Sequence, residues 1–310
     1  MFVHPLLQLY QPQMKFLPLL VVIRAIAAAG LNLPFSLPPG ITRLVGGPTL
    51  PFPQWLTDFT GLKEWPGLDP PFIPLDFIDF SKIEPANHHI QGQCDMITPT
   101  SCSFDCQNCV SFDDVYTCPV LSQTFDDGPT PATTKLLANL KTKTTFFVLG
   151  HNVAKYPDTY RQAVAAGHIM GSHTWSHKFL PSLSNEEIIA QIQWSIWAMN
   201  ATGHHLPKWF RPPYGGLDNR VRSIVRQFGM QNVLWDYDTF DWKLNDNSKS
   251  AGQVVAEVDQ LIKSRTHGLM LEHDMMVQTV NIGIDINKKL PSQMTVPQCI
   301  GGIDYIKRFN

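Results

Sequence analysis

From residue 120 onward, short apolar runs alternate with stretches whose apolar residues recur at the helical period. The runs 120–125, 144–149, 168–172, 208–210, 232–235 and 268–271 predict strands. The second, Thr144-Thr145-Phe146-Phe147-Val148-Leu149, is built of the β-branched and aromatic residues that suit a pleated surface. Helices are predicted over 132–140, where Leu136, Leu137 and Leu140 share a face, from the second strand to residue 166, and over 217–228 and 252–265. Gly167 suits the C-cap of the second of these. Ser184-Asn185-Glu186-Glu187 is a capping box opening the longest helix, which runs to about residue 200. Nearly continuous apolar strands alternating with helices predict a parallel α/β fold. In such folds an active site gathers at the carboxyl ends of the strands.

No such period survives over 31–90, where Pro39-Gly40, Gly47-Pro48, Pro66-Gly67 and Pro70-Pro71 punctuate an irregular, extended arm. Its aromatics (Phe52, Trp55, Phe59, Trp65, Phe72, Phe77, Phe80) are too many for a solvated linker and predict packing on the main domain. A carbohydrate-stacking surface is the alternative. Residues 91–118 hold five of the six cysteines and read as a stapled connector. The even set Cys94, Cys102, Cys106, Cys109, Cys118 and Cys299 suits three disulfides in an oxidising compartment, with a zinc knuckle at Cys102, Cys106 and Cys109 as the competing reading.

Before the arm, Met14-Lys15 begins a basic region, 16–23 is apolar, and Ala25-Ile26-Ala27-Ala28-Ala29 offers small-residue cleavage sites, although Arg24 interrupts the run. This predicts a cleaved export signal over 1–30, with Met14 as an alternative start. An extension then fills 31–117 and a catalytic domain 118–310. At 310 residues, with 44% hydrophobic content, the chain can bury a large core. A net charge of −2 gives no electrostatic case for nucleic acid, and the low charged fraction of 16% is compatible with an uncharged polymer as partner.

Candidate chemistry falls at the predicted strand ends. Thr124-Phe125-Asp126-Asp127-Gly128-Pro129 places two adjacent carboxylates where a strand breaks at Gly-Pro, so that one can ligate a metal and the other accept a proton. A plain surface turn would have the same composition. His173-Thr174-Trp175-Ser176-His177 puts two imidazoles four residues apart, on one face if the segment is a helical turn, with no glutamate beside the first to act as base. Asp126 is the obvious supplier of that base. Arg211-Pro212-Pro213-Tyr214-Gly215 is a stiff loop that could hold a backbone N–H against an oxyanion, with Arg211 gripping a carboxylate bidentately. Asp238-Thr239-Phe240-Asp241-Trp242 and Leu271-Glu272-His273-Asp274 complete the series. Asp238 could tune a histidine or an arginine, Trp242 could wall a pocket, and His273 is a candidate general acid. Each stretch alone has a structural reading; five at successive strand ends do not.

Residues 124–129, 173–177, 211–215, 238–242 and 271–273 resemble, in order and spacing, the five motifs of the polysaccharide deacetylases of carbohydrate esterase family four, the NodB homology domain. The resemblance covers roughly 118–300. The arm (Trp55 to Leu62, Trp65 to Pro71), Ser103-Phe104-Asp105-Cys106 and the segment 194–203 are similar to yeast chitin deacetylases of the spore wall. What this implies is a distorted (β/α) barrel of about seven strands, behind an irregular, disulfide-stapled N-terminal extension. It implies a divalent metal, zinc or alternatively cobalt, on Asp127, His173 and His177, with Asp126 as base steered by Arg211. It further implies the Tyr214 N–H in an oxyanion hole, His273 as general acid tuned by Asp238, Leu271 lining an acetyl-methyl pocket and Trp242 one wall. The implied substrate is chitin or its oligosaccharides, deacetylated to chitosan and acetate in a cell or spore wall, with no stable protein partner. An O-acetyl polysaccharide (xylan-type) esterase and a non-catalytic wall-binding protein are the alternatives. By the same resemblance Cys118 pairs with Cys299 and the other four cysteines pair among themselves. Asn200-Ala201-Thr202 is the single N-x-[ST] sequon and is expected to be exposed and glycosylated.

Overall fold

The computed structural model describes residues 49–85 and 89–309; the export signal expected over 1–30 lies outside them. In chain order the strands are β1 (Ser122–Asp126), β2 (Thr145–Val148), β3 (Ile169–Ser172), β4 (His205–Pro207), β5 (Trp209–Phe210), β6 (Gln231–Asn232), β7 (Tyr237–Asp238), β8 (Leu269–His273) and β9 (Tyr305–Arg308). Seven of them form one sheet in the order β6-β5-β3-β2-β1-β8-β7. Every pairing in it is parallel. The two end strands, β6 and β7, are consecutive in the chain but not paired. The sheet therefore curls into an incomplete barrel of seven strands, the architecture the family resemblance implies.

Both faces of the sheet are covered, which is why its strands read as unbroken apolar runs. Along β1, Phe125 points outward and stacks on Phe146, ring centroids 5.5 Å apart, under the helix Val277–Lys289. Gly283 of that helix has no room for a side chain, because a Cβ there would meet the Phe125 ring at 2.6 Å. Thr124 and Asp126 alternate with Phe125 and point inward. The interior is thus polar where the strands end.

The region expected as one helix up to residue 166 is two, Gly150–Lys155 and Pro157–Ala165. Pro157 opens the second, and the residue before a proline is pushed out of helical geometry, as Tyr156 is at φ −126° and ψ 56°. Gly167 does turn the chain at the end of this pair, with φ +81°. Ser184 caps the helix Asn185–Gly203 through the reciprocal bonds with Glu187 that the sequence predicts. The helix Val277–Lys289 and the antiparallel pair β4–β9 are not visible in the sequence pattern.

The helix Asn185–Gly203 is apolar nearly all round because the arm lies over its outer face. Phe52 packs on Trp194 and Phe59 edge-on to Trp197, at 6.3 and 5.9 Å, while the Trp194 indole donates to the Pro71 carbonyl at 2.8 Å. Further along the arm, Phe77 meets Phe228 at 5.5 Å. Packing, not sugar stacking, is what most of the arm's aromatics do; Phe59 and Phe80 alone among those seven stay exposed. Disulfides Cys94–Cys106 and Cys102–Cys109 staple the connector, and Cys118–Cys299 ties the start of the barrel to its C-terminal segment. With all six sulfurs paired, the zinc-knuckle alternative falls.

One sequence expectation fails here. Asn200 lies inside the last turn of its helix and is only 4% exposed, with Thr202 equally buried and its hydroxyl given to the Ala198 carbonyl. The sequon is therefore not an exposed glycosylation site in the folded chain.

Candidate metal centre and active site

β1 delivers Asp126 at its last residue, and the chain then swings through Asp127, whose φ is +80°. That left-handed step lets two neighbouring carboxylates enter one cavity, against the alternation of a strand. The Asp127 backbone is fixed on both sides: its N–H donates to the Phe147 carbonyl at 3.1 Å, and its carbonyl accepts from the Asn152 amide at 2.8 Å. At the end of β3 comes His173, followed by a turn that returns His177 to the same spot. This is not a helical turn, as the four-residue spacing suggests. Thr174 and His177 both have positive φ, 72° and 63°, and the Thr174 hydroxyl accepts the His177 N–H at 3.0 Å.

The outcome is a buried cluster. Asp127 Oδ1 lies 3.5 Å from His173 Nε2 and 3.2 Å from His177 Nε2. The His173 Nδ1–H donates to the Arg211 carbonyl at 2.7 Å, which leaves Nε2 as a lone pair facing Asp127. Burial drives the His173 pKa down to about 3 and lowers that of His177, so both imidazoles are neutral. Burial opposes ionisation of Asp127, yet the ring of histidines around it, with His273 charged, holds its carboxyl below the usual range. Asp127 Oδ1 is buried without a hydrogen-bond partner. Two neutral imidazoles and one carboxylate with an oxygen left over, all within 4.8 Å of one another, fit a divalent ion. A second group of potential ligands, His89, Asp105 and Cys106, has its sulfur committed to a disulfide.

Arg211, fully buried at the end of β5, donates Nη1–H to Asp126 Oδ1 at 2.9 Å and to the Thr124 hydroxyl at 2.6 Å. Its Nε and Nη2 donate to the Val233 and Leu234 carbonyls, and its plane lies over the Phe147 ring. The grip on Asp126 is through one nitrogen, not the bidentate fork the sequence suggests, because the rest of the fork is spent on backbone carbonyls. Burial pushes the Asp126 carboxyl up to about 6, against the pull of Arg211 and His273.

His273 ends β8 in register with Asp126 on β1. The sequence points to Asp238 as its carboxylate partner; the structure places Asp241 there instead. His273 Nδ1 lies 2.7 Å from Asp241 Oδ1, and the His273 N–H donates to Asp241 Oδ2 at 2.8 Å. Burial alone would discharge this imidazole. Asp241, with Asp127 and Asp126 beyond it, instead raises its pKa to about 10. Asp238 accepts from the Phe240 N–H and the Trp242 indole, and so shapes the turn that carries Asp241.

Tyr214 sits in the stiff loop with φ +59°, its ring centroid 4.4 Å from that of His177. Leu271 is buried on β8 opposite Thr124 and Asp238, and Trp242 is 39% exposed on the short turn Asp241–Leu244. Beside Asp241, one more carboxylate escaped the sequence reading of roles. Asp274 is buried against Gly128, accepts the Thr133 hydroxyl at 2.6 Å and is raised by burial to about 7. Both residues stand inside stretches that attract attention, and only the chain path through each turn assigns them.

Residues 113–233 match the polysaccharide deacetylase family. The chain is 61% identical over 262 residues to chitin deacetylase 2 of Saccharomyces cerevisiae, covering 84% of each chain. It is 55% identical to chitin deacetylase 1 of the same yeast, over 87% of this chain and 91% of the relative. Among solved structures, the chitin deacetylase of the fungal pathogen Colletotrichum lindemuthianum superposes with a TM-score of 0.56 at 27% identity, covering 64% of this chain and 96% of that one.

Proposed function

The chain belongs to the polysaccharide deacetylase family, and on that premise we propose that it is a chitin deacetylase, hydrolysing the N-acetyl groups of β-1,4-linked N-acetylglucosamine polymer to leave chitosan and acetate. The observation that carries this reading is the convergence of Asp126 and His273, register partners on neighbouring strands, on the Asp127, His173 and His177 cluster, with Asp126 Oδ2 3.7 Å from His173 Nε2. Asp127, His173 and His177 would hold the divalent ion; two imidazoles and a carboxylate favour zinc, with cobalt as a working substitute. When bound, the ion polarises the acetyl carbonyl and makes water a better nucleophile.

The remaining work belongs to the chain's own groups. Asp126, with a pKa of about 6, is ionised near neutral pH and takes the proton of the attacking water. Arg211 fixes that carboxylate and keeps it from protonating. The Tyr214 N–H is assigned to the oxyanion that develops on the carbonyl. His273, held charged by Asp241, gives its proton to the departing glucosamine nitrogen. One proton enters at Asp126 and one leaves from His273, so the products are a free amine and acetate. Leu271 is assigned to the methyl side of the acetyl group and Trp242 to one wall.

An acid held protonated at neutral pH matters more for an amine, which must be protonated to leave, than for the alkoxide of an O-acetyl ester. That favours N-deacetylation over a xylan-type esterase. A binding scaffold would need neither Asp126 nor His273. Three disulfides support an oxidising compartment. With the leader-like residues 14–29, they are the basis for proposing secretion to a cell or spore wall.

The deciding experiment is acetate release from chito-oligosaccharides by the purified protein, with and without chelator, beside acetylated xylan. Loss on chelation and recovery with zinc or cobalt is expected. Faster release from xylan, or full activity in protein shown metal-free by elemental analysis, would overturn the reading.

A further inference from the structure

The turn between the two histidines is an improbable piece of backbone. Thr174 and His177 both adopt left-handed geometry, which side-chain-bearing residues avoid and which persists only where the surroundings over-determine it. Part of that constraint is local: the Thr174 and Trp175 carbonyls accept from the Gly150 and His151 N–H groups at 2.9 and 3.0 Å. The Ser176 N–H goes to the Gln191 side chain at 2.9 Å. The rest comes from the N-terminal arm, more than a hundred residues away in sequence.

The Trp175 indole N–H donates to the Gly67 carbonyl at 2.6 Å, and the Ser176 hydroxyl donates to the Leu68 carbonyl at 2.6 Å. Gln191 ties the same corner together, bonding the Ser176 hydroxyl at 2.9 Å and reaching the Leu68 carbonyl at 3.4 Å. Immediately after His177, Lys178 pairs with Asp69. Trp65 stacks on Trp175 with centroids 6.0 Å apart and planes 22° from parallel. Trp65 is itself anchored by its indole N–H on the Leu50 carbonyl at 2.8 Å. Each residue between the histidines except Thr174 thus faces the arm, and both arm carbonyls accept from them.

We propose that residues 65–69 of the arm are a positioning strap for the turn that carries His173 and His177, so that the extension sets how tightly the site holds its divalent ion. The inference rests on the metal-site reading above and goes beyond it. Removing a group that orients a metal ligand from behind typically costs about 10–100-fold in metal affinity. Here such groups belong to a segment outside the barrel. Neither Trp175 nor Ser176 belongs to the Asp127, His173 and His177 cluster; both act through His177.

The test uses the full-length protein. Affinity for zinc and cobalt is measured by chelator competition, the absorption spectrum of the cobalt-loaded protein reports ligand geometry, and the melting temperature of the metal-free protein reports the fold. Ser176→Ala removes one strap bond and Trp175→Phe the other while keeping a ring. Each is expected to weaken affinity about tenfold and to alter the cobalt spectrum, with Ser176→Ala lowering the metal-free melting temperature by no more than about 5 °C through its lost bonds to Leu68 and Gln191. Wild-type affinity and spectrum in folded Ser176→Ala would overturn the strap, as would a variant that loses stability but not affinity. If Trp175→Phe does not fold, Ser176→Ala decides alone. Since binding is read without substrate, a parent protein that takes up cobalt yet releases no acetate counts against the proposed function and not against the strap.

Discussion

His273 and Asp241 share two contacts, Nδ1 to Oδ1 at 2.7 Å and the His273 N–H to Oδ2 at 2.8 Å, so one carboxylate fixes both the ring and the backbone of the proposed acid. Burial opposes charge on this imidazole, and Asp241 outweighs it, holding the pKa at about 10. The acid works protonated, so activity should fall as pH rises through that value. Asp241→Asn keeps the shape and removes the charge. The basic limb of kcat/KM against pH should then move down by about 1–3 pH units. Asp238→Asn, which loosens Phe240 and Trp242 instead, should move that limb less. An equal or larger shift in Asp238→Asn would reverse the assignment.

Arg211 acts in the opposite sense on Asp126. The proposed base works ionised, so activity should rise with pH through its pKa of about 6, and the guanidinium keeps that value from climbing further. Arg211→Met should therefore move the acidic limb to higher pH. It should also destabilise the protein by about 3–5 kcal/mol, because a buried ion pair loses one member. A pH–rate profile and a urea titration read the two effects separately. Arg211→Lys should not restore either, since an ammonium cannot serve Thr124, Asp126, Val233 and Leu234 together.

Cys118 and Cys299 close a loop of 181 residues. Replacing both by serine should lower stability by about 5 kcal/mol on the chain-entropy account, through the freedom returned to the unfolded chain. The shift in denaturant midpoint between parent and double variant measures it. The barrel's own contacts are untouched, so chemistry at 25 °C should survive.

The Asn200 sequon makes a simple check. Since the asparagine is buried in its helix, peptide mapping of protein from a glycosylating host should recover residues 200–202 unmodified. A glycan on Asn200 in folded, active protein would mean that the end of this helix opens.

The sequence exposed the parts of this protein that depend on local period. Strand ends and the Ser184–Glu187 capping box follow from spacing read over a few residues, whereas the proposed ligand set Asp127, His173 and His177 follows from the resemblance of the motifs to the deacetylase family. Asp241 was harder because it and Asp238 are equally placed three residues apart. The choice between them is made by Phe240, which enters the left-handed region at φ +57° and turns Asp241 inward. Spacing likewise suggests a helical turn at 173–177, whereas the positive φ values there answer to distant partners on the arm. β4 and β9 are three and four residues long and meet across about a hundred positions, so neither carries a local signal. Burial of Asn200 is of the same kind, set by what packs over a helix rather than by the helix.

The arm leaves the ribosome before anything it will lie upon. Phe52, Trp65 and Phe77 are made more than a hundred residues ahead of Trp194, Trp175 and Phe228, the rings that receive them. At about 5–20 residues per second, that interval lasts roughly 5–30 s. Throughout it the arm's aromatic side chains have only one another to pack on, as Phe52 does on Trp65, and Cys118 has no Cys299 to meet. The nascent chain thus carries unburied aromatic surface midway through its own synthesis, and the bond to Cys118 waits for the segment that holds Cys299.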